Sequence, residues 1–496
     1  MSAQANLAPA KLERVQLDCT LTPQDALRAV GDQPWPFALT GDWAGGGAIV
    51  GSDPLIVADP GADPFALLDA LPPVGERADP AVGGGANAAV GGANPAGRGA
   101  NPAVGGGWFG WLGYRLGRRV EDLPPGPPRP VRLPDFHLAY YDHLLRLDPS
   151  GRWWFEALLG SGAEDRLAAR LNDLQARLAS PRRVAPVYAA PEQFRLSHTD
   201  QSRHQEAVKG CRERIVAGEI YQANICLRLE AHWRGSITEL YARALDRISP
   251  ARGGAFATPW GGIASLSPEL FLRRVGDRVV TAPIKGTIRR PEDEGIARAA
   301  RAALRRSGKD AAEHVMIVDL MRNDLGRVCA YGTVAAPRAP EAEAHPGVWH
   351  LVSKVRGRLR PGVGNGDLLR ATFPPGSVTG APKVQAMRVI SELEPTGREV
   401  YTGGVGFVSP VAGLELNVAI RTFEQRAGRL WLGAGGGIVA DSDPEHEFEE
   451  ALIKAGPLAA AIGSGIAPEA WDDSGIPGRV AQSRPEGRYD GAVAVR

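Results

Sequence analysis

The sequence predicts a large fold that mixes strands and helices, and three observations carry that expectation. Short apolar runs broken by Gly and Pro fill the first 150 residues, as in PWPFALT, GGAIVGS, PLIVAD, GWFGWLGYRLG and FHLAYYDHLLRLD. Residues 162–179 (GAEDRLAARLNDLQARLA) set Leu167, Leu171, Leu174 and Leu178 on one helical face. From about residue 198, helical patterns alternate with short strand patterns. At 496 residues the chain exceeds one ordinary hydrophobic core, so two domains or one elaborate domain are expected.

Taken in order, residues 1–190 read as a β-rich amino-terminal part without a catalytic motif. Within it, residues 79–107 are a degenerate repeat of Ala, Asn, Pro and Gly with no large side chain before Trp108. Such a segment buries too little to offset its ordering entropy, and a disordered surface insertion is expected. A Pro-rich connector at 181–192 leads into residues 198–463. There the spacing predicts helices over 200–216, 236–248, 292–306, 310–325, 380–393 and 446–462. It predicts strands over 263–266, 270–274, 278–282, 348–358, 404–408, 414–422 and 429–433. Residues 464–496 are Gly, Pro and charge without periodicity, and read as a loose tail.

Composition narrows the function. Apolar residues make up 44% and charged residues 23%, with a net charge of +1. No bulk field draws nucleic acid or an anionic membrane, so an acidic ligand must be met locally. Cys19, Cys211, Cys226 and Cys329 are scattered, with no CxxC pair, which fits neither a zinc site nor a disulfide framework. With no apolar leader and no long apolar run, a cytoplasmic protein is expected.

Several motifs carry chemistry. In DSDPEHEFEEALIKA, Glu447, Glu450 and Lys454 share one helical face. A Glu450–Lys454 surface bridge accounts for two of them. Yet the helix follows WLGAGGGIVADSD, whose Gly435, Gly436 and Gly437 let the backbone approach an anion. Two carboxylates beside such a run suit a hard cation such as Mg²⁺. A third carboxylate, Glu313, lies in SGKDAAEHVMIVDLMRNDLGRV, where Asp310 and Glu313 also form a capping-box pattern. That helix further holds His314, Asp319, Arg322, Asn323 and Asp324, more polar matter than a buried helix tolerates unpaired. Lys285, in VVTAPIKGTIRR, stands at a strand end, where burial would favour a neutral, nucleophilic amine. Glu269, in SLSPELFL, sits among leucines, where burial would raise its pKa toward that of a general acid. Arg421, in the apolar run LNVAIRTF, offers a fork for a carboxylate.

In order along the chain, GEIYQANI, SPELFL, PIKGT, EHVMIVDLMRNDLGRV, FPPGSVTGAPK, YTGGVGF, LNVAIRT, GAGGGIVADSDPEHEFEE and LIKA resemble the motifs of the chorismate-utilising enzymes. That family includes anthranilate, aminodeoxychorismate, isochorismate and salicylate synthases. The resemblance covers about residues 200–462. It implies an α+β fold in which two antiparallel sheets pack face to face as a sandwich, with helices outside. Members that add water to chorismate carry a lysine base where this chain has Gln222. Members that resemble it at Lys285 are aminodeoxychorismate synthases, whereas anthranilate synthases read PIAGT there.

The resemblance also implies roles. Glu313, Glu447 and Glu450 would hold Mg²⁺, directly or through water, against the ring carboxylate of chorismate. Arg421, Tyr401, Lys454 and the Gly435–Gly437 amides would grip substrate carboxylates. Gln222, Thr287, His350, Thr379 and Gly380 would line the ring pocket. Glu269 would protonate the departing C4 hydroxyl, and Lys285 would attack C2 before ammonia displaces it by attack at C4. No GxCLGxQ-like nucleophile is present, so ammonia is expected from a separate glutamine amidotransferase small subunit. A separate lyase would then complete p-aminobenzoate for folate.

Two stretches depart from relatives that bind tryptophan: FALTGDW stands for an LLES-like stretch, and SPARGGAF for an NPxPY-like one. Three alternatives stay open. They are C2 amination with loss of pyruvate, as in anthranilate synthase component I; the same C4 amination serving secondary metabolism; and a non-catalytic binder of chorismate or an amino acid.

Overall fold

The computed structural model describes residues 9–74, 103–179, 189–291, 293–306, 308–345 and 348–468. The larger of its two main sheets has 12 strands. Its order is Ala10–Leu17, Trp153–Gly160, His143–Leu147, Gly47–Gly51, Phe37–Gly41, Arg252–Thr258, Gly261–Ser265, Thr422–Arg426, Arg429–Ile438, Gln222–His232 and Gly380–Ala381, with Arg195–Leu196 also pairing on Gln222–His232. The second sheet has eight strands, in the order Val355–Arg358, Arg278–Ala282, Leu270–Val275, Gly413–Val418, Gly404–Ser409, Gly107–Leu112, Phe136–Tyr141 and Ile56–Val57. A small third sheet joins Ile284–Arg289, Val348–Val352 and Glu341–His345.

The two large sheets pack face to face, because the inward residues of both are large and apolar. Phe37, Leu39, Ile49, Phe256, Ile263 and Trp431 from one meet Phe109, Trp111, Ala139, Val405 and Phe407 from the other in a single buried cluster. The outer face of the 12-stranded sheet is covered by helices Pro23–Val30, Glu164–Ala179, Ile237–Leu245 and Pro444–Ala461. That of the eight-stranded sheet is covered by Pro64–Leu67, Gly308–Gly326 and Asn365–Thr372. The expected α+β sandwich is therefore present.

Strands from before and after residue 190 lie side by side in both sheets: Phe37–Gly41 pairs with Arg252–Thr258, and Gly107–Leu112 with Gly404–Ser409. The chain boundary near residue 190 does not divide the sheets. The first of these pairings joins the two stretches that depart from tryptophan-binding relatives. There Trp43, fully buried, donates its indole N–H to Gly253 O at 2.8 Å and ties the two stretches together.

Most elements expected from spacing are found, and the differences have physical causes. The expected insertion ends earlier than its composition indicates. Val104 is fully buried, and the Glu156 carboxylate accepts from the Val104 and Gly105 amides at 2.7 and 2.9 Å. Residues 79–102 of that segment, 181–188 of the connector and 469–496 of the tail lie outside the described residues. The start of the expected tail is anchored: Ala467 is buried and its N–H donates to Phe194 O at 2.8 Å. Among the described residues, all four cysteines are free thiols, and no helix is long and apolar enough to cross a membrane.

Candidate active site

The longest strand of the site, Gln222–His232, was not expected from spacing. Nearly every residue from Gln222 to Leu229 is buried, so both faces are covered and no alternation marks it. On one side, Ala223 and Gln222 pair with Gly380 and Ala381; on the other, Asn224, Ile225 and Cys226 pair with Gly437, Gly436 and Gly435. The SVTGAP turn and the glycine run are thus set on either side of Gln222.

The glycine run is extended strand rather than a left-handed nest. Its glycines are needed for space. A Cβ on Gly435 would stand 2.3 Å from Ile225 O, and one on Gly436 2.9 Å from Glu447 Oε2. One on Gly437 would stand 1.9 Å from Gln222 Nε2 and 3.2 Å from Lys285 Nζ. The neighbouring strand Thr422–Arg426 pairs only as far as Leu432, so the run leaves one backbone edge without a strand. Lys454 Nζ donates to Gly435 O at 3.0 Å on that edge. In an extended strand the N–H and C=O of one residue share a side, so the Gly435 and Gly437 amides face the same edge. Gly435→Ala should destabilise the fold by about 1–3 kcal/mol, since the clash is with backbone. Gly437→Ala should fold and raise the substrate KM instead, because it displaces Gln222 and crowds Lys285; thermal melting and steady-state kinetics separate the two outcomes.

Lys285 lies on Ile284–Arg289, whose partner strand places Leu351 opposite it. Its Nζ is 4.0 Å from Glu313 Oε2, and each side chain is only 15% exposed. Burial lowers the Lys285 pKa; Glu313, Glu269 and Glu450 oppose this and Lys454 adds to it. Glu269, at the start of Leu270–Val275, is buried, and desolvation pushes its carboxyl up to about 7. Its bonds with Ser377 and the Ile284 N–H, with the charges of Lys285 and Arg421, pull the other way without cancelling the desolvation. The same desolvation therefore shifts both groups toward their neutral forms, the acid toward its protonated state and the amine toward its unprotonated one. That is the pairing required of a proton donor and a nitrogen nucleophile acting on one molecule.

Arg421 is not in a strand. The expected strand 414–422 divides into Gly413–Val418 and Thr422–Arg426, and Arg421 forms the bend between them at φ 51°. Its carbonyl accepts from Leu266 N at 2.9 Å, fixing a strained backbone that turns the guanidinium toward Glu269. Gly380, at φ +153°, has no room for a Cβ, which would stand 2.1 Å from Gln222 O. Thr379 Oγ1 donates within its turn to Pro375 O and Gly376 O at 3.2 Å each. His350 is buried on Val348–Val352, opposite Thr287 and Glu343. Tyr401 lies deeper, its ring against Gly433, with the Cys226 thiol donating to its hydroxyl at 3.7 Å.

The three expected metal carboxylates are held differently. Glu447 is buried and accepts from Ser442 Oγ at 2.7 Å, whereas Glu450 forms the expected bridge with Lys454 at 2.8 Å. Helix Gly308–Gly326 begins before Asp310, so Glu313 stands within the helix rather than in a capping box. Much of the polar content of this helix is structural: Asp324 pairs with Lys383 at 2.5 Å, and His314 bonds Ser353 Oγ at 2.7 Å. Among the described residues no three acidic, histidine or cysteine groups close into a ready cage. Mg²⁺ does not ordinarily need one, since it keeps waters and shares its shell with an anionic ligand. Glu313 and Glu450 both act on Lys285, and Glu447 lies against Gly436, so hard oxygen donors border the same space.

Two contributors were not foreseen. Ser377 lies in a motif already noted but bonds Glu269 from 108 positions away, a contact no local spacing reveals. The buried pair Arg398–Glu394 ties the site's backbone together: Glu394 accepts from Cys226 N at 2.8 Å, and Arg398 donates to Asn224 O and, at 2.7 Å, to Val378 O.

Known proteins resemble the chain in sequence and in fold. The chain is 38% identical over 350 residues to aminodeoxychorismate synthase component 1 of Salmonella typhimurium, covering 70% of this chain and 75% of that one. It is 37% identical over 372 residues to anthranilate synthase component 1 of Streptomyces coelicolor, covering 72% and 73%. Among solved structures, anthranilate synthase component I from Streptococcus pneumoniae superposes with a TM-score of 0.67 at 26% identity, over 91% of this chain and 92% of that one. The menaquinone-specific isochorismate synthase of Escherichia coli gives 0.68 at 17% identity, over 92% and 97%, a likeness of fold. Residues 80–460 match the chorismate binding enzyme family, a range that takes in most strands of both sheets and every site residue described above, and the chain belongs to that family.

Proposed function

We propose that this chain aminates chorismate at C4 with ammonia, giving 4-amino-4-deoxychorismate, the activity named for its aminodeoxychorismate synthase relatives. The observation that carries the reading is the buried Lys285 amine, its pKa lowered, within electrostatic reach of the buried Glu269 carboxyl, which desolvation raises to about 7. Glu269 gives its proton to the C4 hydroxyl, which leaves as water. The Lys285 nitrogen bonds to C2 as the ring double bonds shift. Ammonia then forms the C4–N bond while the C2–Nζ bond breaks, Lys285 leaves as the neutral amine and the double bonds return; the proton shed by the new C4 ammonium restores Glu269. Arg421, Lys454 and the Gly435 and Gly437 amides hold the substrate carboxylates, while Gln222, Thr379 and Gly380 bound the ring and offer no base to activate water. Glu313, Glu447 and Glu450 would hold Mg²⁺, which would supply the positive charge that neutralises the ring carboxylate. Loss of the hydroxyl with retention of the enolpyruvyl group distinguishes this from C2 amination, in which pyruvate leaves.

The component naming of the relatives supports a partner subunit, for which we propose a glutamine amidotransferase that delivers ammonia. Free thiols fit a reducing cytoplasm, and p-aminobenzoate for folate is the proposed destination. Incubation of the chain with chorismate, Mg²⁺ and an ammonium salt tests the reading by mass spectrometry. An aminated product that keeps its enolpyruvyl group, lost on adding a chelator, is expected. Anthranilate with pyruvate would instead assign the C2 reaction.

A further inference from the structure

A cavity of about 310 Å³ opens at the far end of strand Arg429–Ile438 from the glycine run. It is lined by Pro130, Val131, Arg132, His198, Glu230, Arg426, Ala427, Arg429 and Trp431. Trp431 and Gly437 are six residues apart on one extended strand, roughly 20 Å, and no residue of the active site reaches this lining. The lining holds three arginines and one histidine against a single acid. That acid is already engaged: Glu230 accepts from Arg429 at 3.0 Å, Trp431 Nε1 at 3.1 Å and Ser197 Oγ at 2.9 Å. The side chains of Arg132, Arg426 and His198 have no hydrogen bond or ion pair with a protein group among the described residues.

The backbone around them is fixed. Arg132, at φ 54°, donates its N–H to Glu399, a buried carboxylate that Arg129 grips at 2.6 Å. His198 is also left-handed, at φ 60°. The φ of 50° at Ala427 belongs to the tight hairpin it forms with Gly428 and needs no other cause. Strained, fixed positions at Arg132 and His198 are what a ligand clamp requires. Two arginines without partners, a histidine beside them, one saturated acid and an aromatic floor make a concavity that favours negative charge. Its volume, about that of ten water molecules, suits a small metabolite.

We infer that this cavity is a second binding site, separate from the active site, for a compact anion carrying at least two negative charges on phosphate or carboxylate groups. Calorimetric titration of the full chain in metal-free buffer, with inorganic pyrophosphate and with citrate, tests this. One equivalent of at least one probe should bind in the presence of saturating chorismate. Arg132→Gln with Arg426→Gln should weaken it by about tenfold or more. Chorismate amination should be unchanged in that variant. A variant with Arg152→Gln and Arg358→Gln, which removes the same charge from exposed positions elsewhere, should bind as the parent does. The stronger probe tells whether phosphate or carboxylate is preferred. The inference is overturned if neither probe binds, if chorismate displaces both, or if the two double variants bind alike. None of these outcomes touches the product assay, so the two readings fail separately.

Discussion

Lys285→Ala should lower ammonium-dependent turnover of chorismate by about two to three orders of magnitude while leaving the melting temperature unchanged or higher. The two halves of that result have one cause. Burial lowers the Lys285 pKa, so the folded environment disfavours the ammonium form relative to water. A side chain kept there costs stability, and alanine removes the cost, although Glu313 loses a neighbour at 4.0 Å. If Lys285 were a structural ion-pair partner, its removal would instead lower the melting temperature, since breaking a buried pair strands a charge. Turnover and thermal melting measured on the same preparation therefore discriminate between the two roles.

Glu269→Gln should cost about two orders of magnitude in kcat and change the pH dependence of both activity and stability. With the carboxyl raised to about 7, the wild type holds its proton below that value and loses it above. Activity that depends on the acid should fall as pH rises through about 7, and the residual activity of the variant should lack that limb. Stability follows the same proton. The folded carboxyl titrates near 7 against an ordinary 4.5, so between these values the native state binds more protons than the unfolded chain. The stability it contributes is full below about 4.5 and is lost as pH rises through about 7. Glutamine does not ionise, so at pH 8 the variant should melt higher than the wild type, and near pH 4 the difference should vanish. An unchanged pH profile would assign the proton transfer to another group.

The sequence made the site more legible than the fold around it. Glu269, Lys285, Glu313 and Arg421 come from separate motifs, yet the structure links them in one chain of charges, Arg421 to Glu269, Glu269 to Lys285 and Lys285 to Glu313. What local patterns missed is long-range or doubly buried. The strand Gln222–His232 shows no alternation because both its faces are covered. The pairing of Phe37–Gly41 with Arg252–Thr258 spans more than two hundred residues and leaves no local mark. Arg421 reads as part of a strand because LNVAIRTF is mostly apolar with no Gly or Pro to break it, and only the observed φ of 51° reveals a bend. The glycine run was legible as a place where a ligand comes close, but its cause is strand pairing against Asn224–Cys226 and the side chains of Gln222 and Glu447 packed on it, rather than a nest of amides. In helix Gly308–Gly326, sequence alone cannot divide functional from structural polar residues. Asp324 and His314 find partners in Lys383 and Ser353, which lie far along the chain.

The most direct test of the account is the mass of the peptide containing Lys285 after the protein has met chorismate and Mg²⁺ without ammonium. An increment equal to chorismate less one water is predicted, absent from Lys285→Ala and discharged when ammonium is added. An unmodified peptide from a preparation that forms the C4-aminated product once ammonium is supplied would contradict the covalent role of Lys285.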